Sequence, residues 1–80
     1  MPVVFRYNGG RFFFFSNEGS PREPVHIHAE KDDAEAKFWL RPDVVVADSR
    51  GFDRRTLSEL RQIVLERRDM IESRWHEHFG

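Results

Sequence analysis

Cysteine is absent from these 80 residues, which excludes a disulfide framework, a zinc ribbon and a thiol nucleophile. Long apolar runs are missing too. The longest, residues 12–15 and 44–47, fall far short of the roughly 20 residues a membrane helix needs. No leader-like segment is evident, so the expectation is a chain at work in a reducing, cytoplasmic compartment, with no membrane as partner. Nor is there a surplus of one sign of charge: 13 Lys and Arg stand against 14 Asp and Glu, for a formal net charge of −1. That excludes capture of nucleic acid by a long-range field, though not local recognition. A glycine-rich phosphate loop, a nucleophile elbow and a His-Glu-x-x-His motif are likewise lacking.

What is present is uneven. Eleven of the 13 cations are arginine, whose planar fork suits phosphate or carboxylate better than a point charge does. Eight phenylalanines are many for so short a chain. Both have a plain explanation, arginine as a solvated helix face and phenylalanine as core. The length fits one domain, which buries only about 60% of its unfolded surface and therefore needs a compact core.

The pattern predicts an α+β domain: an antiparallel sheet of four or five strands under one long C-terminal helix. Residues 3–7 and 11–16 flank Asn8-Gly9-Gly10, a strong hairpin signal because primed turns need positive φ. One face of that hairpin carries Val3, Phe5, Tyr7, Phe12 and Phe14. The other carries Val4, Arg6, Arg11, Phe13 and Phe15. After a Gly/Pro-punctuated loop, residues 25–30 and 34–40 alternate strictly. A two-residue turn at Asp32-Asp33, or a longer loop of the same parity since Asp-Asp is poorer turn chemistry than Asp-Gly, pairs Val25 with Leu40, Ile27 with Phe38 and Ala29 with Ala36, all apolar. The opposite face then pairs His26 with Trp39, His28 with Lys37 and Glu30 with Glu35. A slip of one residue would mix the two faces, so the hydrophobic pattern favours this register. Residues 44–48 form a fifth, β-branched strand.

A helix follows over about residues 54–78, with Asp53 or Thr56 as its N-cap and Leu57, Leu60, Val64, Ile71 and Trp75 as its stripe. At 1.5 Å per residue it would be roughly 37 Å long, against a sheet about 20–24 Å wide. Either it breaks near Arg67-Arg68-Asp69, or residues 70–79 pack on another chain. The second is the expectation, because Trp75 and Phe79 would otherwise be exposed. A homodimer or a heterocomplex through residues 70–79 and the first hairpin follows from it.

The sharpest constellation is His26-Ile27-His28-Ala29-Glu30. On a strand the two imidazoles share a face about 6.6–7 Å apart and can flank one phosphate. With ordinary pKa values near 6.5 they make a base–acid pair at little cost. Lys37 adds a cation across the hairpin, and Arg11, Arg6 and Arg22 are further donors. Together with Glu30 this is a toolkit for cutting RNA with no cofactor, the cation stabilising the crowded phosphorus. Trp39 or Phe13 could stack single-stranded bases. Two other readings stay open. His-x-His with Glu30 supplies part of a zinc ligand set, without a firm third ligand. Alternatively, these are polar residues on the wet side of a half-exposed hairpin. Glu18 is either a loop carboxylate near the histidines or a turn cap. The second His-x-His, His76-Glu77-His78, lies on a helix, where residues two apart diverge by about 200°.

Residues 11–19 (Arg-Phe-Phe-Phe-Phe-Ser-Asn-Glu-Gly), 23–31 (Glu-Pro-Val-His-Ile-His-Ala-Glu-Lys) and 34–40 (Ala-Glu-Ala-Lys-Phe-Trp-Leu) strongly resemble a small prokaryotic family, domain of unknown function 4160. The similarity extends through Ser49-Arg50-Gly51-Phe52 and the terminal helix. Members resemble the toxin half of two-gene toxin–antitoxin modules, whose usual neighbour is thought to be the antitoxin. The resemblance implies a cognate antitoxin as partner and no settled reaction; the expected action on RNA or translation comes from the chemistry of the side chains. The rival expectation is a non-catalytic protein-interaction module on the same face.

Overall fold

In a computed structural model of the chain, residues 3–15 and 23–79 are described. Five strands form one antiparallel sheet in sequence order: β1 (Val3–Tyr7), β2 (Gly10–Phe13), β3 (His26–Lys31), β4 (Ala34–Trp39) and β5 (Val45–Arg50). Two helices follow, α1 (Arg54–Glu66) and α2 (Arg68–Phe79).

The first hairpin turns at Asn8-Gly9, both in the left-handed region at φ 53° and 81°, so that Tyr7 pairs with Gly10. This is the backbone a two-residue primed turn demands. The second hairpin turns at Asp32-Asp33, with Asp32 at φ 54°, and every pair expected between β3 and β4 is present. The Leu40 N–H donates to the Val25 carbonyl at 3.3 Å, extending that register past the strand ends.

Apolar side chains from both layers meet in a single core. Phe12, Ile27, Ala29, Ala36 and Phe38 of the sheet pack with Leu60 and Val64 of α1 and with Ile71 and Trp75 of α2. Phe12, Phe14 and Phe38 are fully buried, each contributing about 1.5–3 kcal/mol of transfer free energy. Phe5 stacks on Phe12 at 4.4 Å, and Phe14 meets Trp75 edge-on at 5.2 Å.

Three expectations need correction. The β1–β2 register shifts between Val3 and Phe5, and Val4, expected on the wet face, packs against the core instead. A bulge adds one residue and so changes the side-chain parity beyond it. Several strand bounds also move. β2 ends at Phe13, and Phe14 is buried against Trp75; β5 runs to Arg50, while Val44 before it is fully buried.

The largest correction concerns the helix. It breaks at Arg67, whose N–H donates to the Ile63 carbonyl while its own carbonyl accepts from Ile71. The Cα extents are 33 × 24 × 19 Å, so a straight helix of about 37 Å would overrun even the longest of them. With the break, Trp75 is 3% exposed and Phe79 packs on the same core. The premise for covering residues 70–79 with another chain, that these aromatics lie bare, therefore fails. Asp53, not Thr56, is the N-cap: its Oδ1 accepts the Thr56 N–H at 2.7 Å. No helix is long and apolar enough to cross a membrane, among the described residues.

Candidate functional site

The helices cover one face of the sheet, and the other carries the polar side of the β3–β4 hairpin. Cross-strand pairing sorts that open face into three rows. The first runs Arg11, Glu30, Glu35, Arg50 across β2, β3, β4 and β5. The second runs Phe13, His28, Lys37, Asp48 across the same strands. The third runs His26, Trp39, Val45.

The first row is a ladder of charges. The Arg11 guanidinium donates to Glu30 Oε1, and Arg50 lies 3.2 Å from Glu35 Oε1. The two carboxylates stand opposite each other at the centre, each drawn outward by its arginine. Glu30 is thus held by Arg11 and is a weak candidate for proton transfer.

The second row holds the chemistry. His28 is half-buried, with Phe13 stacked at 5.7 Å and Phe15 edge-on at 4.5 Å. Lys37, its cross-strand neighbour, places Nζ 4.3 Å from the centre of the Trp39 ring and 3.7 Å from Glu23 Oε1. Phe13, Phe15, His28 and Lys37, with Asp48 and Arg50, line a groove of about 390 Å³. Phe13 is only 3% exposed yet lies outside the main core, and it makes a floor for the imidazole.

The third row corrects the paired-histidine expectation. His26 is fully buried. Its Nδ1 lies 2.9 Å from the Pro24 carbonyl, which can only accept, so that nitrogen carries the proton. The ring is wedged between Trp39 at 5.3 Å, His28 at 5.2 Å and Trp75 of α2 at 5.0 Å. The two imidazoles are therefore closer than strand geometry alone suggests, but one is sealed and the other accessible. The reason lies at the end of the sheet. His26 opens β3, where the α2 indole reaches it, a contact between parts of the chain far apart in sequence.

Of the remaining candidates, Arg6 is exposed and pairs with Arg11 along the first hairpin. Arg11 also lies 5.3 Å from the centre of the Phe13 ring, between the first two rows. Trp39 is half-buried beneath Lys37. Arg22 and Glu18 lie outside the described residues. Among the described residues no three His, Asp or Glu side chains converge as a metal site would require. His76 and His78 are exposed on α2.

Sequence reasoning missed Asp48, Arg50 and Glu23. The strand carrying Asp48 was legible, but no tight turn links it to β4, so its register was open. An irregularity between Lys37 and Phe38 then sets Asp48 beside Lys37 and Val46 beside Phe38.

No curated protein and no solved structure matches the chain. A family model described as "Domain of unknown function (DUF4160)" matches residues 9–76, which span four of the five strands and both helices except the last three residues of α2. That stretch includes the whole three-row face and most of the core beneath it, and the chain belongs to this family of domains of unknown function.

Proposed function

We propose that this chain is the toxin member of a two-gene toxin–antitoxin pair and that it engages RNA through the open face of its sheet. One observation carries the reading: an accessible imidazole, His28, and an ammonium, Lys37, stand side by side in a groove walled by phenylalanines. Bases of a single strand can stack on Phe15, which is 42% exposed, or on Trp39. The ion pairs of the face do not prevent this. Exposed pairs are worth about 0–1 kcal/mol, so Arg11, Lys37 and Arg50 can exchange a carboxylate for a phosphate at small cost.

If the RNA is cut, His28 is the proton-transfer group and Lys37 the charge stabiliser at phosphorus. His26 becomes a positioning residue, holding the His28 ring from behind. A cognate antitoxin that covers the face would silence both binding and chemistry.

The second reading is a protein-interaction surface that acts by sequestration. It is favoured by the charge matching, since Arg11, Lys37 and Arg50 each have a carboxylate within ion-pair distance. Induction of the wild type in cells, beside His28→Ala and Lys37→Ala, separates the two. Toxicity that comes with RNA loss or arrested translation, and disappears in both variants, supports the RNA reading. Arrested growth with intact RNA and continuing translation would transfer the function to a protein target.

A further inference from the structure

We infer that the outer edge of β5 pairs with a second copy of this chain, joining the two sheets across a two-fold axis at Ser49. All six residues of β5 are exposed, and among the described residues no strand pairs with its outer side. The opposite edge differs. Four of the five β1 residues are half-buried, Val4 and Phe5 pack on the core, and Arg67 lies over the Phe5 ring. An uncovered strand edge offers its backbone donors and acceptors as a template.

Charge selects the occupant. Asp48 and Arg50 pair with Lys37 and Glu35 and so share the open face, one on either side of Ser49. Antiparallel pairing about Ser49 sets each Asp48 opposite Arg50 of the other copy. Two opposite-charge pairs form at the spacing where cross-strand side chains interact. A strand of any other sequence can satisfy the backbone, but needs an acid and a base two apart in the matching order to satisfy these side chains.

The lone chain holds the edge closed by a local bond. The Ser49 N–H donates to Asp48 Oδ1 at 2.9 Å, the kind of side-chain capture that competes with a strand ladder. Pairing exchanges partners rather than losing them. The Ser49 N–H passes to the Ser49 carbonyl of the other copy, and the freed Asp48 carboxylate accepts from the incoming Arg50. Glu35 keeps its place beside Arg50, whose five N–H donors can serve both carboxylates. The pairing rests on the strand edge and not on the RNA reading, although Asp48 and Arg50 also line the groove of the open face.

Sedimentation velocity on the full chain over a concentration series tests it. The wild type is expected to dimerise reversibly. Asp48→Arg and Arg50→Asp each replace two attractive pairs by two repulsive ones, which weakens dimerisation about tenfold or more. Mixing the two single variants restores both attractive pairs, so a heterodimer returns. Circular dichroism confirms folding, because Arg50→Asp puts a carboxylate beside Glu35 and Asp48→Arg a cation beside Lys37; if one variant unfolds, the other decides. A wild type that stays monomeric throughout overturns the proposal, including one that captures a different protein at β5. So does a dimer indifferent to Asp48→Arg, or folded single variants that fail to pair when mixed.

Discussion

The imidazole of His26 and the indole of Trp75 lie 5.0 Å apart, tilted by 59°, and tie the start of β3 to helix α2. Through this contact a residue of the open face becomes part of the packing between sheet and helix. His26 and His28, alike in sequence, therefore have different physical roles.

His26→Ala is expected to destabilise the fold by about 2–4 kcal/mol, from the cavity left and the Pro24 carbonyl deprived of its donor. His28→Ala should cost less than about 1 kcal/mol while removing binding or activity of the face. Denaturant unfolding of both variants beside a toxicity assay measures the split. Equal destabilisation by the two would contradict the assigned roles.

Arg41 joins the β4–β5 connection to α2 by two bonds to Glu72, Nε to Oε2 at 2.6 Å and Nη2 to Oε1 at 2.8 Å. The hydrogen bond from Arg41 holds the Glu72 carboxyl below the ordinary carboxylate range, with the positive charge of Arg41, Arg68 and His76 acting in the same direction and desolvation opposing. A carboxylate with a lowered folded-state pKa stabilises fully above its unfolded value, about 4.3 for glutamate. That contribution is lost as the pH falls through the folded-state value. The difference in melting temperature between wild type and Glu72→Gln should be constant near neutrality and shrink in acid. A difference that grows as the pH falls would show the linkage to be wrong in sign.

Gly51 closes β5 at φ +90°, and a Cβ built there would meet the Ala34 Cβ at 2.9 Å. Gly51→Ala combines left-handed strain with a collision against the second hairpin, for an expected loss of about 1–3 kcal/mol. Ala34→Gly in the same background removes the Cβ contact but leaves the 3.0 Å approach to the backbone Cα at that position and the left-handed strain, so it should restore only part of the stability. Full restoration in a thermal melt would show that φ costs nothing here.

Asp53 accepts the Thr56 N–H at the start of α1, and its carboxyl pKa is lowered first by the side-chain hydrogen bond with Thr56 and then by this backbone bond. Asp53→Ala should reduce the melting temperature by about 4–8 °C, whereas Asp53→Asn, which keeps the acceptor, should lose much less. Similar losses for both would assign the effect to charge rather than to the cap.

Period-two alternation in residues 25–40 fixed the register of the second hairpin, because a slip would have put apolar side chains into water, and Asn8-Gly9-Gly10 located the first hairpin but not its bulge. The same alternation placed His28 beside Lys37 on the wet face, and that pair stands in the structure. The apolar stripe through Leu60, Val64, Ile71 and Trp75 identified the helical layer with no help from tertiary contacts. Local pattern sufficed wherever neighbours in space were neighbours along the chain or were joined by a tight turn.

Contacts between distant segments were decided only by the fold. Nothing in Glu66-Arg67-Arg68 marks a helix break, as neither glycine nor proline is present. The break is supported on both sides by tertiary contacts, with Arg67 stacked 4.6 Å from the Phe5 ring centre and Glu72 clamped by Arg41. The burial of His26 by Trp75, the core position of Val4 and the alignment of Asp48 with Lys37 have the same origin. Each depends on where a bulge or a helix bend places a side chain in three dimensions, and the free energy that selects that place comes from packing against residues tens of positions away.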